Sequence, residues 1–141
     1  MRSARLLAFI GLFSAGAASA SPLDGLWLTD DHKGVVRIGP CSAGNPRICG
    51  WIMRVLDSGP NVPTHDINNP NRALRSRTIL GMPVLSGFVP YLEGRYVGGS
   101  AYDPKSGRSY RASLRLQDGG SLGVTGCVML FCRTVTWTRT R

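Results

Sequence analysis

Most of the features that announce a mechanism are missing from this chain. Past residue 20 no apolar run is long enough to cross a bilayer. No segment there longer than about ten residues repeats its apolar positions at helical spacing. A helical bundle and a parallel sheet with crossover helices are therefore excluded. Histidine occurs only as His32 and His65. There is no internal repeat or low-complexity tract. Lysine is limited to Lys33 and Lys105, so the formal charge of +9 is carried almost wholly by arginine. Those arginines are scattered, and the aromatics are not interleaved with them on one strand face. Both points argue against a nucleic-acid partner and for charges that keep a surface solvated.

What is present begins with a leader. Met1 to Arg5 is basic, Leu6 to Phe13 is apolar, and Ala18-Ser19-Ala20 offers a small-x-small cleavage site. Residues 1–20 are expected to be a secretory signal peptide. Residues 21–141 are expected to be one domain, periplasmic or secreted, with no integral membrane segment. Removing Arg2 and Arg5 takes the charge from +9 to +7. Export also decides how the cysteines are read. Cys41, Cys49, Cys127 and Cys132 would meet an oxidising compartment, where an even set pairs. Three connectivities exist. Proximity favours Cys41 with Cys49 and Cys127 with Cys132, each closing a hairpin and each contributing about 2–3 kcal/mol. Zinc is disfavoured, because seven and four intervening residues do not make a knuckle. No metal and no cofactor is expected.

The remaining pattern is short β runs between turn signals. They are Leu26–Thr29, Val35–Ile38, Ile48–Val55, Met82–Val89, Arg95–Tyr102, Ser109–Leu116, Ser121–Cys127 and Cys132–Arg139. In the sixth, Ala112, Leu114 and Leu116 alternate with Arg111, Ser113 and Arg115, which buries one face. Tyr102-Asp103-Pro104-Lys105-Ser106-Gly107 and Asp118-Gly119 are turns by composition. Consecutive hairpins imply an antiparallel meander, and eight twisted strands close to remove their edges. The fold class expected is all-β, a small up-and-down barrel. Asp57–Leu80, rich in proline and asparagine, interrupts the rhythm. It is expected to be a long polar loop with at most one helical turn near Asn71–Arg75, and loops of that length usually have a role.

Taken together, "GLWLTDD", "GVVRIGPC", "DINNPNRALRSRTILG", "YDPKSGRSY" and "RTVTWTR" resemble a bacterial secreted family catalogued as a domain of unknown function, number two-one-four-seven. The resemblance spans nearly all of the expected mature chain. It implies a lipocalin-type barrel and no established biochemical activity. It also implies a role for Gly25-Leu26-Trp27. In such barrels Gly-x-Trp on the first strand meets an arginine of the last, here Arg133 or Arg139, which stacks on the indole.

The residues leave little room for catalysis, and none is expected. His32 follows Asp30-Asp31 in a turn, and His65 lies beside Asp66 in the polar loop. Trp51, Met53, Tyr96 and Tyr110 are candidates to line a cavity for a small apolar or amphipathic ligand, although barrels of this size are sometimes filled by their own side chains. Asp66, with Asn68 and Asn69, reads first as an internal brace for the loop, with Arg75 and Arg77 as partners. The competing reading is a lid that offers those arginines to an anionic ligand group. Val128-Met129-Leu130-Phe131 is apolar between two cysteines. It is expected to fold back over one barrel end; if exposed, it becomes a contact for an envelope protein or lipid.

Overall fold

Turn residues punctuate the chain into eight strands in the computed structural model, which describes residues 19–141. The expected leader lies outside the described residues apart from Ser19 and Ala20. The strands are β1 (Gly25–Leu28), β2 (Gly34–Pro40), β3 (Ile48–Val55), β4 (Pro83–Pro90), β5 (Arg95–Asp103), β6 (Arg108–Leu116), β7 (Leu122–Val128) and β8 (Phe131–Thr140). Each pairs antiparallel with its neighbours in sequence, and β1 pairs with β8, with Trp27 opposite Arg139. The result is a closed up-and-down barrel. Closure leaves no strand edge to pair with another chain. Among the described residues no helix is long and apolar enough to cross a membrane.

Both proximity pairs are disulfides. Cys41–Cys49 links β3 to the loop after β2, and Cys127–Cys132 links β7 to β8. The long loop contains one short 3₁₀ turn, Arg72–Leu74, capped by the Asn71 side chain, which accepts from the Ala73 N–H.

The two ends of the barrel differ. At the end carrying the 90–95 and 116–122 connections, Leu23, Trp27, Ile38, Phe88, Leu114 and Leu122 are buried and fill the interior. The opposite end carries the connections 29–33, 56–82, 104–107 and the β7–β8 turn. Its interior is not filled.

Three expected placements are corrected. First, Trp51 and Met53 lie on the outer face of β3. Ile48, Gly50 and Ile52 turn inward, Met53 is 45% exposed, and the Arg37 guanidinium lies over the Trp51 ring at 5.5 Å. Both faces of this strand carry apolar residues, so its alternation alone does not say which is inside. Second, Tyr96 is buried in the plugged end, where its hydroxyl meets Ser21 Oγ at 3.0 Å, and it does not line the open half. The register of β5 against β6 shifts between Tyr96 and Gly99. A bulge of this kind puts Tyr96, Gly99 and Ala101 on one face despite their odd spacing. Third, the β7–β8 tip does not fold back: Met129, Leu130 and Phe131 are 82%, 95% and 83% exposed.

Candidate functional site

The unfilled half of the barrel is a cavity of about 620 Å³ that opens between the mouth loops. Its walls come from inward positions on β2 to β8: Val36, Ile52, Val84, Ala101, Val124 and Trp137 among them. Tyr110 lines it too, and so does Arg133. Part of the long loop, Asn61 to Pro63 and Ile79, completes the wall on one side.

Charge is concentrated at the mouth, where four of the eight charged residues form two ion pairs. Lys33 Nζ pairs with Asp57 at 3.0 Å, and Lys105 Nζ pairs with Asp31. Burial pushes the Asp31 pKa up, but the hydrogen bonds from Lys105, Thr29 and the Lys33 backbone outweigh it, leaving the pKa at about 2. The hydrogen bond to Asp57 raises the Lys33 pKa. The chamber has an apolar interior, and two guanidiniums lining it, Arg54 and Arg133, have no carboxylate partner among the described residues, although Arg54 Nη2 donates to the Arg141 carbonyl.

Beside the cavity, the long loop is braced by one carboxylate. Asp66 is fully buried. It accepts from the Tyr102 hydroxyl at 2.6 Å, from Asn69 Nδ2 at 2.7 Å, and from Arg77 Nε and Nη2 at 3.0 and 2.9 Å. Burial alone would raise its pKa; these donors more than offset that and hold it below the usual carboxylate range. The same contact works the other way on its partner. Burial and the bond to Asp66 push the Tyr102 hydroxyl up to about 12. Arg75 Nε donates to the Asn69 carbonyl at 2.7 Å. Arg75 and Arg77 are thus committed to the loop itself, and neither lines the cavity. Gly107 locks the loop to the barrel. A Cβ there would sit 1.9 Å from the Asn68 carbonyl oxygen, and its φ of +69° is one that side-chain-bearing residues avoid.

At the plugged end the arginine over the first indole is Arg139, with its guanidinium carbon 4.4 Å from the Trp27 ring centre. Its Nη1 donates to the Asp24 carbonyl at 3.1 Å and its Nη2 to the Pro22 carbonyl. Gly25 makes the approach possible: its φ is +135°, and a Cβ would lie 3.0 Å from that Nη1. Trp27 Nε1 donates to the Leu23 carbonyl at 2.8 Å, so the indole is buried with its polar atom satisfied.

Sequence reasoning missed most of the wall: Val36, Ile52, Val84, Ala101, Val124, Val135 and Trp137. For β8 a signal existed. Thr134, Thr136 and Thr138 form a polar row, which turns Arg133, Val135 and Trp137 inward. The histidines stand apart. His32 is exposed in the β1–β2 turn with φ of 57°, and His65 Nδ1 lies 2.9 Å from its neighbour Thr64 Oγ1. Among the described residues no group of three His, Cys, Asp or Glu side chains is placed to hold a metal.

A family model described as "Uncharacterized protein conserved in bacteria (DUF2147)" matches residues 25–139. Among solved structures the chain is similar to protein HP1028 from the human pathogen Helicobacter pylori, described as belonging to the lipocalin family. The two are 24% identical with a TM-score of 0.73, over 84% of this chain and 83% of that one, a likeness of fold. No curated protein matches the chain by sequence.

Proposed function

We propose, from the premise that this chain belongs to the bacterial family DUF2147, that it is an exported, non-catalytic carrier holding one small amphipathic or apolar molecule in its barrel. The observation that carries this reading is the division of the interior into a plugged half and an open half of about 620 Å³. That volume falls within the span of roughly 300–1,000 Å³ in which small-ligand sites occur. A ligand's apolar part would lie against Val36, Val84, Val124 and Trp137, with its polar end near Arg133. Two disulfides are consistent with residence in an oxidising compartment.

Native mass spectrometry of the protein purified undenatured from its own cells is expected to show a retained molecule. The apolar dye N-phenylnaphthylamine is expected to brighten on binding and to quench Trp137. Ala101 faces the cavity opposite Tyr110, so Ala101→Trp should occupy ligand space. It is expected to weaken dye binding by roughly tenfold or more while a thermal melt confirms that the barrel is folded. A wild type that retains nothing and binds no dye, or a folded Ala101→Trp protein that binds as well as wild type, would end the carrier reading.

A further inference from the structure

The β7–β8 tip is an expensive arrangement. Met129 and Leu130 are the central pair of a two-residue hairpin turn between Val128 and Phe131. Met129 has φ of 54°, at a position that turns of this kind give to glycine or asparagine. A bulky side chain there is strained. Leu130 is 95% exposed, with Met129 and Phe131 little less. Cys127–Cys132 then staples the hairpin one rung below the Val128–Phe131 pair. The chain thus holds three large apolar side chains out in solvent on a rigid support. A rigid support reduces the ordering cost of inserting them elsewhere.

Two further observations indicate what receives them. The neighbouring strand β6 begins with Arg108 and places Arg111 opposite Cys127; both are exposed. Neither has a carboxylate in ion-pair range among the described residues, although Asp103 stands opposite Arg108 in the ladder. The tip also lies at the cavity's end of the barrel, where Leu56, Ile67 and Leu80 are exposed too. A folded protein partner would have to match separate apolar points on a projecting tip and several loops. A fluid bilayer needs no matching shape, and anionic headgroups supply the counter-charge for the arginines.

We propose that the Met129-Leu130-Phe131 tip inserts into the surface of an anionic lipid bilayer, with Arg108 and Arg111 meeting the headgroups, so that the barrel docks with its cavity mouth toward the membrane. The oxidised full chain is expected to co-sediment with vesicles of phosphatidylethanolamine and phosphatidylglycerol, and far less with phosphatidylcholine alone. Leu130→Asp is expected to cut that binding by about tenfold or more, since it replaces an inserted apolar side chain by a charge. Its melting temperature should be unchanged, because the side chain touches solvent. Arg108→Gln with Arg111→Gln should remove much of the preference for phosphatidylglycerol. Binding of N-phenylnaphthylamine to Leu130→Asp is expected to match wild type, which keeps this test separate from that of the cavity. Wild type left in the supernatant with both vesicle types would overturn the proposal. So would a Leu130→Asp variant that sediments like wild type, or capture of a single protein by a crosslinker at position 130 in a chain that ignores vesicles.

Discussion

Trp27→Ala is expected to destabilise the barrel by about 3–5 kcal/mol, the range for deleting a large buried aromatic side chain. For a domain of this size that is a fall in melting temperature of roughly 12–20 °C. The reason lies in what the indole joins. It is buried with Leu23, Ile38, Leu114 and Leu122 in one cluster. It also bonds the Leu23 carbonyl through Nε1 and carries the Arg139 guanidinium on its face. Arg139 in turn holds the Asp24 and Pro22 carbonyls, so the segment before β1 and the last strand are tied through one ring. Arg139→Ala removes only the clasp and is expected to cost about 1–2 kcal/mol. Trp27→Phe keeps a ring but loses the Leu23 bond, for about 1 kcal/mol. Thermal unfolding followed by near-ultraviolet circular dichroism checks the order of the three. A Trp27→Ala protein melting within two or three degrees of wild type would show that the plug is not what closes the barrel.

The second large effect is expected at Asp66. Asp66→Ala leaves the Tyr102 hydroxyl, Asn69 and Arg77 without their acceptor, at a cost of about 2–4 kcal/mol. The lower part of that range is favoured because Arg77 is about a third exposed and can be rehydrated. The pH dependence gives a second readout. Asp66 has a folded pKa below its unfolded value, so its contribution is present above the unfolded value of about 3.9 and is lost as pH falls through the folded pKa. Tyr102 is raised to about 12. Its neutral form is the one the fold favours, so its contribution is present below the unfolded value of about 10 and is lost as pH rises through the folded one. Asp66→Asn acts on both limbs. The stability difference between wild type and Asp66→Asn is expected to be largest near neutral pH and to shrink in strong acid and strong base. Melting curves across the pH range check this; a difference that is small at pH 7, or constant with pH, would remove Asp66 as the brace. Because Asn61 to Pro63 and Ile79 belong to the same loop and line the cavity, ligand exchange is expected to quicken in the same variant.

How much of this was legible beforehand differs from residue to residue. Turn chemistry and alternation placed all eight strands to within a residue or two, because glycine, proline and asparagine act through the local backbone. Pairing of neighbouring cysteines was legible for the same local reason. The faces of β3 were not. Its inner set contains Gly50, whose missing side chain leaves room for Val36 and Leu85, and that is a fact about other strands. Tyr96 was misplaced because of a bulge at Gly98-Gly99, where Gly98 has φ of +73°. Glycines inside a strand are a signal for such a bulge that the alternation reading passed over. The tip was expected to fold back because exposed apolar side chains are usually unfavourable, yet the stapled hairpin is too short to turn them inward.

By itself the sequence determined a meander of eight strands and favoured the neighbouring cysteine pairs, since both depend on neighbours in the chain or on the alternation of a single strand. Closure was an expectation from strand number and resemblance, and the pairing of β1 with β8 bears it out. The tertiary structure alone decided which half of the interior is filled, that Arg139 and not Arg133 covers Trp27, and that Asp66 gathers Tyr102, Asn69 and Arg77. Those outcomes depend on register and bulges that bring together residues up to 112 positions apart, and no local preference encodes them.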